Sequence, residues 1–273
     1  MCELFALSSR LPSRATFSFE EFARHGGETG PHADGWGVAA YEDRDVRLLR
    51  EPLAASRSPC VRYLQEHGLR SDLILSHVRR ATQGAHILPN TQPFVRELGG
   101  HVHAFAHNGD LAPAAALPLG RFRPVGETDS ERAFCSLLAR LAPLWENGRP
   151  PVDQRLEIVN AFAAELRELG PANFLYADGE VIFAHAHRRR HGSEESPRPP
   201  GLHLLERTCA CDPEFTSPHG LRVEAPCGPQ RVLLLASVPL SAEAWTPLAE
   251  GELLAIARGE VLRRVGAPLP DGP

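Results

Sequence analysis

Apolar positions along the chain fall first in short runs, then at helical spacing, then in short runs again. Residues 2–7 alternate loosely and predict a short strand. Phe19, Phe22 and Ala23 predict a helix over 17–25, with Ser18 ahead of Glu20 and Glu21 as a cap. A glycine-rich loop over 26–35 separates it from strands at 36–41 and 46–50, which a polar turn joins. A short helix is expected at 60–67, then a buried strand at 73–78 that delivers Arg79 to its end. Residues 80–94 have loop composition, and 102–106 read as a strand stopped by His107-Asn108-Gly109-Asp110, because Asn-Gly tolerates turns.

The period then changes. Thr128-Asp129-Ser130-Glu131 has the form of a capping box, and Phe134, Leu137, Leu138, Leu141 and Trp145 mark one helix face behind it. A second helix is expected over 152–169, with Leu156, Val159, Phe162, Ala163 and Leu166 inward. A hairpin turns at 177–179 between strands at 174–176 and 181–184, and further strands read at 202–205, 232–236, 253–257 and 261–265. Strands, two consecutive helices, then strands imply an α+β fold with helices packed on antiparallel sheets. The charged, proline-bearing segment 187–200 reads as a solvated mobile loop, and 266–273 as a polar tail.

Composition narrows the function classes. The 273 residues are 42% hydrophobic and 23% charged, enough for a real core. The net charge is −5 and no basic stripe runs along the chain, which argues against nucleic acid. No apolar run reaches the ~18 residues of a membrane span, and the start lacks the pattern of a secretory signal. Six cysteines without that signal read as reduced thiols, so a cytoplasmic location is expected. His101 and His103, and Cys209 with Cys211, lack a second ligand pair at metal spacing, so no metal is expected.

The candidate chemistry begins at Cys2. Once Met1 is removed, Cys2 carries a thiol and a free α-amine, a nucleophile and a base in one residue. An α-amine titrates at about 7.7–8.0 and a thiol at about 8.5, so both exchange protons near neutrality. Arg79 offers a planar fork suited to a carboxylate, although a surface ion pair is the commoner role. Asn108 and Gly109 together could point a side-chain NH₂ and a backbone N–H at one oxygen, or simply make a turn. Asp129 could hold an amine, or only complement its helix dipole.

These residues lie in six motifs: Met1-Cys2-Glu3-Leu4, Gly30-Pro31-His32-Ala33-Asp34-Gly35-Trp36-Gly37, His77-Val78-Arg79, Asn90-Thr91-Gln92-Pro93-Phe94, Ala106-His107-Asn108-Gly109, and Phe122 through Glu131. In that order they resemble a class II glutamine amidotransferase, more narrowly the stand-alone YafJ-type bacterial group. The resemblance spans 2 to about 258 as an amidotransferase domain and leaves 259–273 as a terminal strand and tail. It implies an N-terminal-nucleophile hydrolase fold, an αββα sandwich of two antiparallel sheets between helical layers. By position it implies Cys2 as nucleophile, Asn108 and Gly109 as oxyanion hole, and Arg79 and Asp129 as holders of the glutamine α-carboxylate and α-amine. Thr82 would support the carboxylate-binding loop, and no cofactor is implied. Gln92 departs from the usual His, and Arg80 and Gln83 from the Trp and His of synthase-linked relatives, which puts the loop's shape in question.

The implied activity is glutamine hydrolysis to glutamate and ammonia through a Cys2 γ-glutamyl thioester, with ammonia passed to a separate acceptor enzyme. Two alternatives stand beside it. One is a free-standing hydrolase of γ-glutamyl amides in small metabolites or peptides. The other is a non-catalytic glutamine-binding scaffold.

Overall fold

The computed structural model describes residues 2–112, 114–192, 194–209, 215–216, 222–224 and 229–266. Its first strand explains the run-like apolar pattern of the N-terminus. On β1 (Glu3–Ala15), Leu4 and Ala6 face one hydrophobic layer while Phe5 and Leu7 face another. A strand buried on both faces has no polar side, so its sequence shows a run instead of strict alternation. Helix α1 (Thr16–His25), strands β2 (Trp36–Glu42) and β3 (Asp45–Glu51), helix α2 (Pro59–His67) and strand β4 (Arg70–Val78) follow. The Ser58 hydroxyl caps α2 by accepting from the Val61 N–H at 3.1 Å.

Strands β5 (Phe94–Leu98) and β6 (His101–Gly109) open the second sheet. Helices α3 (Asp129–Leu141) and α4 (Val152–Leu169) come next, then the hairpin β7 (Ala172–Ala177) and β8 (Ile182–His185). The chain returns to the first sheet through β9 (His203–Cys209), β10 (Phe215–Thr216), β11 (Arg222–Glu224), β12 (Gln230–Ala236) and β13 (Thr246–Pro247). It ends in the second with β14 (Leu253–Ala257) and β15 (Glu260–Val265).

Both sheets are antiparallel. The first runs β13-β9-β12-β1-β4-β2-β3, with β11 against the end of β1 and β10 on β11. The second runs β15-β14-β8-β7-β6-β5. Between them lies a buried layer of leucine, isoleucine and alanine, including Leu75, Leu175, Leu235, Ala6, Ala104 and Ala184. Phe22, Val61 and Leu64 of α1 and α2 cover the outer face of the first sheet, packing with Phe5 and Trp36. Phe134 and Phe162 of α3 and α4 cover the second, against Phe105 and Phe174. The outcome is the expected αββα arrangement of four layers. Among the described residues, no helix is long and apolar enough to cross a membrane.

Three local expectations need correction. His107-Asn108-Gly109 is not a turn: β6 continues through it, pairing Asn108 with Asn173 and Gly109 with Ala172. Pairing with β7 satisfies the backbone and overrides the local turn preference. The capping box on α3 is half formed. Thr128 accepts from the Glu131 N–H at 3.2 Å, but the Glu131 carboxylate turns instead to the N–H groups of Val125 and Gly126 and to Arg96. Segment 187–200 is not simply a solvated loop, because Arg189 is buried and a bridge ties Arg189 to Arg198. Residues 267–273 of the expected tail, and the Cys209–Cys211 side chains, lie outside the described residues.

Candidate active site

Cys2 sits at the head of β1, where the pairing of Glu3 with Val78 sets it beside the end of β4. Its half-buried Sγ lies 3.4 Å from both the N–H and the carbonyl oxygen of Arg80. Burial pushes the thiol above its ordinary value of 9.0. The Arg80 backbone and the Arg79 charge pull it down, and the Asp129 carboxylate pushes it up again. A thiol so placed is protonated at neutral pH and needs a base to become a nucleophile.

Arg79 is buried and held by its backbone: its N–H donates to Gly35 O at 2.7 Å, and its carbonyl accepts from the Asp34 N–H at 3.0 Å. Its guanidinium reaches back to the carbonyls of Gln83, Gly84 and Ala85 at 2.8, 3.3 and 3.1 Å. These contacts curl the loop after β4 around the fork and leave further N–H donors for a substrate. Asn90 fixes the same loop, donating to Ala85 O at 3.0 Å and accepting from the Glu127 N–H at 2.8 Å. Gln83 closes it on the second sheet by donating to Asp110 Oδ1 at 2.6 Å. Thr82 is exposed on this loop.

From the second sheet come Asn108, Gly109 and Asp129. Asn108 is fully buried, and its backbone carbonyl accepts from Asn173 Nδ2 at 3.0 Å. Its side-chain Nδ2 lies 3.5 Å from Ser237 Oγ, while its Oδ1 is buried without a partner among the described residues. Asp129 opens α3, and its carboxylate accepts from the Leu111 N–H at 2.7 Å and the Ser130 N–H at 2.8 Å. The first of these bonds ties the helix start to the chain just beyond Gly109. Asp129 and Arg79 are both near enough for the Cys2 thiol to feel their charge. The structure therefore brings Cys2, Arg79, Asn108, Gly109 and Asp129 to the ends of β1, β4, β6 and α3, with Thr82 at the rim.

The departures in the loop have structural roles. Gln92 is buried, and its Oε1 accepts from the His107 N–H at 2.6 Å, bracing the strand that carries Asn108. A side chain on Gly37 would overlap the Gln92 carbonyl, so glycine there allows the close approach. Arg80 cradles the thiol by its backbone, a role open to any side chain.

Several residues were missed by sequence reasoning. Glu3 is almost buried, with His25 at 2.8 Å, Arg189 at 3.8 Å and His32 at 3.9 Å. Burial would raise its carboxyl, but the hydrogen bond from His25 and the nearby positive groups hold it below 4.5. The same hydrogen bond raises His25 above 6.5. His77, buried two residues before Arg79, is lowered to about 3 by burial, so it is neutral. A polar residue on a doubly buried strand, such as Glu3 or His77, was the available signal. A cleft of about 840 Å³ borders the site, lined by Glu3, His25, His32, Arg80, Thr82 and Arg189 among others. Among the described residues no group of three could hold a metal ion; both ring nitrogens of His103 are taken by Tyr176 and Leu98.

This geometry has relatives. The family model described as class II glutamine amidotransferases matches residues 1–270. The Escherichia coli (strain K12) protein named "Putative glutamine amidotransferase YafJ" is 34% identical over 262 residues, 95% of this chain and 99% of that one. A Haemophilus influenzae protein named "Putative glutamine amidotransferase" is 31% identical, over 98% of this chain and 88% of its own. A crystal structure from Pseudomonas aeruginosa, titled as a predicted glutamine amidotransferase, superposes with a TM-score of 0.69 at 34% identity, covering 96% of this chain and all of that one. The Bacillus subtilis glutamine phosphoribosylpyrophosphate amidotransferase shares the fold at a TM-score of 0.57 and 16% identity over 47% of its length. With a family match across nearly the whole length and relatives above 30% identity over most of theirs, this chain belongs to the class II glutamine amidotransferases.

Proposed function

We propose that the chain hydrolyses the side-chain amide of glutamine to glutamate and ammonia, with Cys2 as nucleophile after removal of Met1. The observation that carries this reading is the convergence on Cys2 of an arginine fork and an acidic helix start, with a buried asparagine of the facing sheet tied through Ser237 to the strand that Cys2 heads. Arg79 grips the α-carboxylate with its remaining donors, and Asp129 accepts from the α-amine with its free lone pairs. Thr82 steadies the loop between them. The free α-amine of Cys2 takes the thiol proton, and sulfur attacks the amide carbon. Charge gathers on oxygen facing Asn108 Nδ2 and the Gly109 N–H. The amine returns its proton to the departing nitrogen, ammonia leaves, and water hydrolyses the thioester. The ammonia would pass to a separate acceptor enzyme.

The test compares the processed chain with one bearing extra residues before Cys2, in which the base is an amide. General acid–base help is typically worth about 10²–10⁴, so glutamate release should fall at least that far while melting curves stay alike. Equal activity in both forms would remove the terminal amine from the mechanism. The cleft favours a second reading: it begins at Arg80, whose backbone holds the thiol, and has room for an amine larger than ammonia. A panel of γ-glutamyl amides separates the two, since preference for a larger amide over glutamine selects the second. No turnover of any compound would leave a binding protein.

A further inference from the structure

Ser237 lies just past β12, buried, where its backbone and side chain meet three separate parts of the site. Its Oγ accepts from the Leu4 N–H at 3.0 Å, and its own N–H donates to Leu4 O at 3.0 Å. Its carbonyl accepts from Arg189 Nη1 at 3.0 Å. Ser237 is therefore fixed against β1 only two residues from Cys2. Its Oγ is also 3.5 Å from the Asn108 carboxamide on the facing sheet.

The Leu4 N–H takes a lone pair of this hydroxyl and leaves its proton to be donated. Among the described residues that hydrogen-bond Oγ, only the Asn108 carboxamide can offer an acceptor. With Nδ2 toward Ser237, the Asn108 Oδ1 is buried and without a donor. Such an oxygen costs about 1–3 kcal/mol. Turned by half a rotation, the same amide fills the same space, Oδ1 accepts the Ser237 proton, and the NH₂ group takes the buried position that has no partner among the described residues, where an incoming substrate oxygen can satisfy it. We propose that Ser237 is a positioning residue that sets the orientation of the Asn108 amide and so aims its NH₂ at the substrate oxygen. The proposal rests on the reading of Asn108 as an oxyanion donor. Ser237 itself touches no reacting atom. It couples the strand that carries the nucleophile to the residue that stabilises the charge that nucleophile creates.

The test is a mutant cycle in the processed full-length chain, with glutamine as substrate. Asn108→Ala alone should lower kcat about 10²–10³-fold, as loss of one oxyanion donor does. Ser237→Ala should lower kcat at least about tenfold with KM within about twofold, because the ground state does not use the donor. Ser237→Thr, which keeps the hydroxyl, should restore most of that loss. The double variant should fall no more than about twofold below Asn108→Ala, since residues acting as one unit do not add. Should Ser237→Ala fail to fold, Ser237→Cys, close in volume and a weak donor, carries the same comparison. Additive losses, or a serine variant with unchanged kcat beside a crippled Asn108→Ala, would overturn the positioning role. An Asn108→Ala variant with full activity would instead overturn the oxyanion reading, and this inference with it.

Discussion

Arg79 shows how far one side chain's chemistry can be read before its partners are known. Its type and its place at a strand end marked it as a carboxylate fork. The contacts of that side chain with Gln83, Gly84 and Ala85 show a duty its type did not announce, holding the loop that walls the candidate site. Lysine keeps the charge but not the fixed fork. Arg79→Lys is therefore expected to raise KM for glutamine about tenfold or more and to loosen the loop, visible as faster proteolysis after residue 80. Unchanged KM with unchanged proteolysis would remove both duties. Cys2, Asn108 and Asp129 were singled out because their motifs stand in a known order, and their roles belong to the proposed function. Ser237 was not, since a lone serine after an apolar strand carries no spacing signal and its partner Leu4 lies 233 positions away.

At the scale of elements, helices and central strands were read well because their apolar faces have a period. Helix α4 occupies the expected 152–169, and β14 the expected 253–257. Edges were read poorly: β5 went unseen, and β6 was cut short at a dipeptide that favours turns. The continuation of β6 matters to the proposed mechanism, because pairing with β7 fixes where Gly109 stands. A Cβ at Gly109 would overlap the Pro171 carbonyl and crowd the His107 ring. Gly109→Ala should therefore push the strand end away from Pro171. The expected results are a melting point lower by several degrees and a kcat at least about tenfold lower with little change in KM. A variant with native kcat would show that the strand end does not position the oxyanion donor.

The whole molecule is two sheets pressed together through a buried layer of leucine, isoleucine and alanine, and its architecture was legible as layers but not as strand order. Nothing local announces that β1 sits between β4 and β12, because those contacts join distant segments. The same close packing sets the protein's response to acid. His77, His103 and His185 are fully buried on the two sheets, and burial lowers them to about 3, about 4 and about 3, from 6.5. A base whose native value is depressed stabilises the fold fully above its unfolded value, and that stability is lost as pH falls toward the native one. Between pH 7 and 5 the unfolded chain binds these protons while the folded chain refuses them. Each imidazole then costs on the order of 2 kcal/mol at pH 5. His25, whose proton Glu3 holds, acts in the opposite sense and offsets part of the loss. The free energy of unfolding by urea should accordingly drop by several kcal/mol from pH 7 to pH 5, a range in which ordinary carboxylates stay ionised. His77→Asn removes one of these titrations and should make that drop shallower. A stability that is flat from pH 7 to 5, or a slope that His77→Asn leaves alone, would mean that water reaches these imidazoles and the two sheets part more readily than their packing implies.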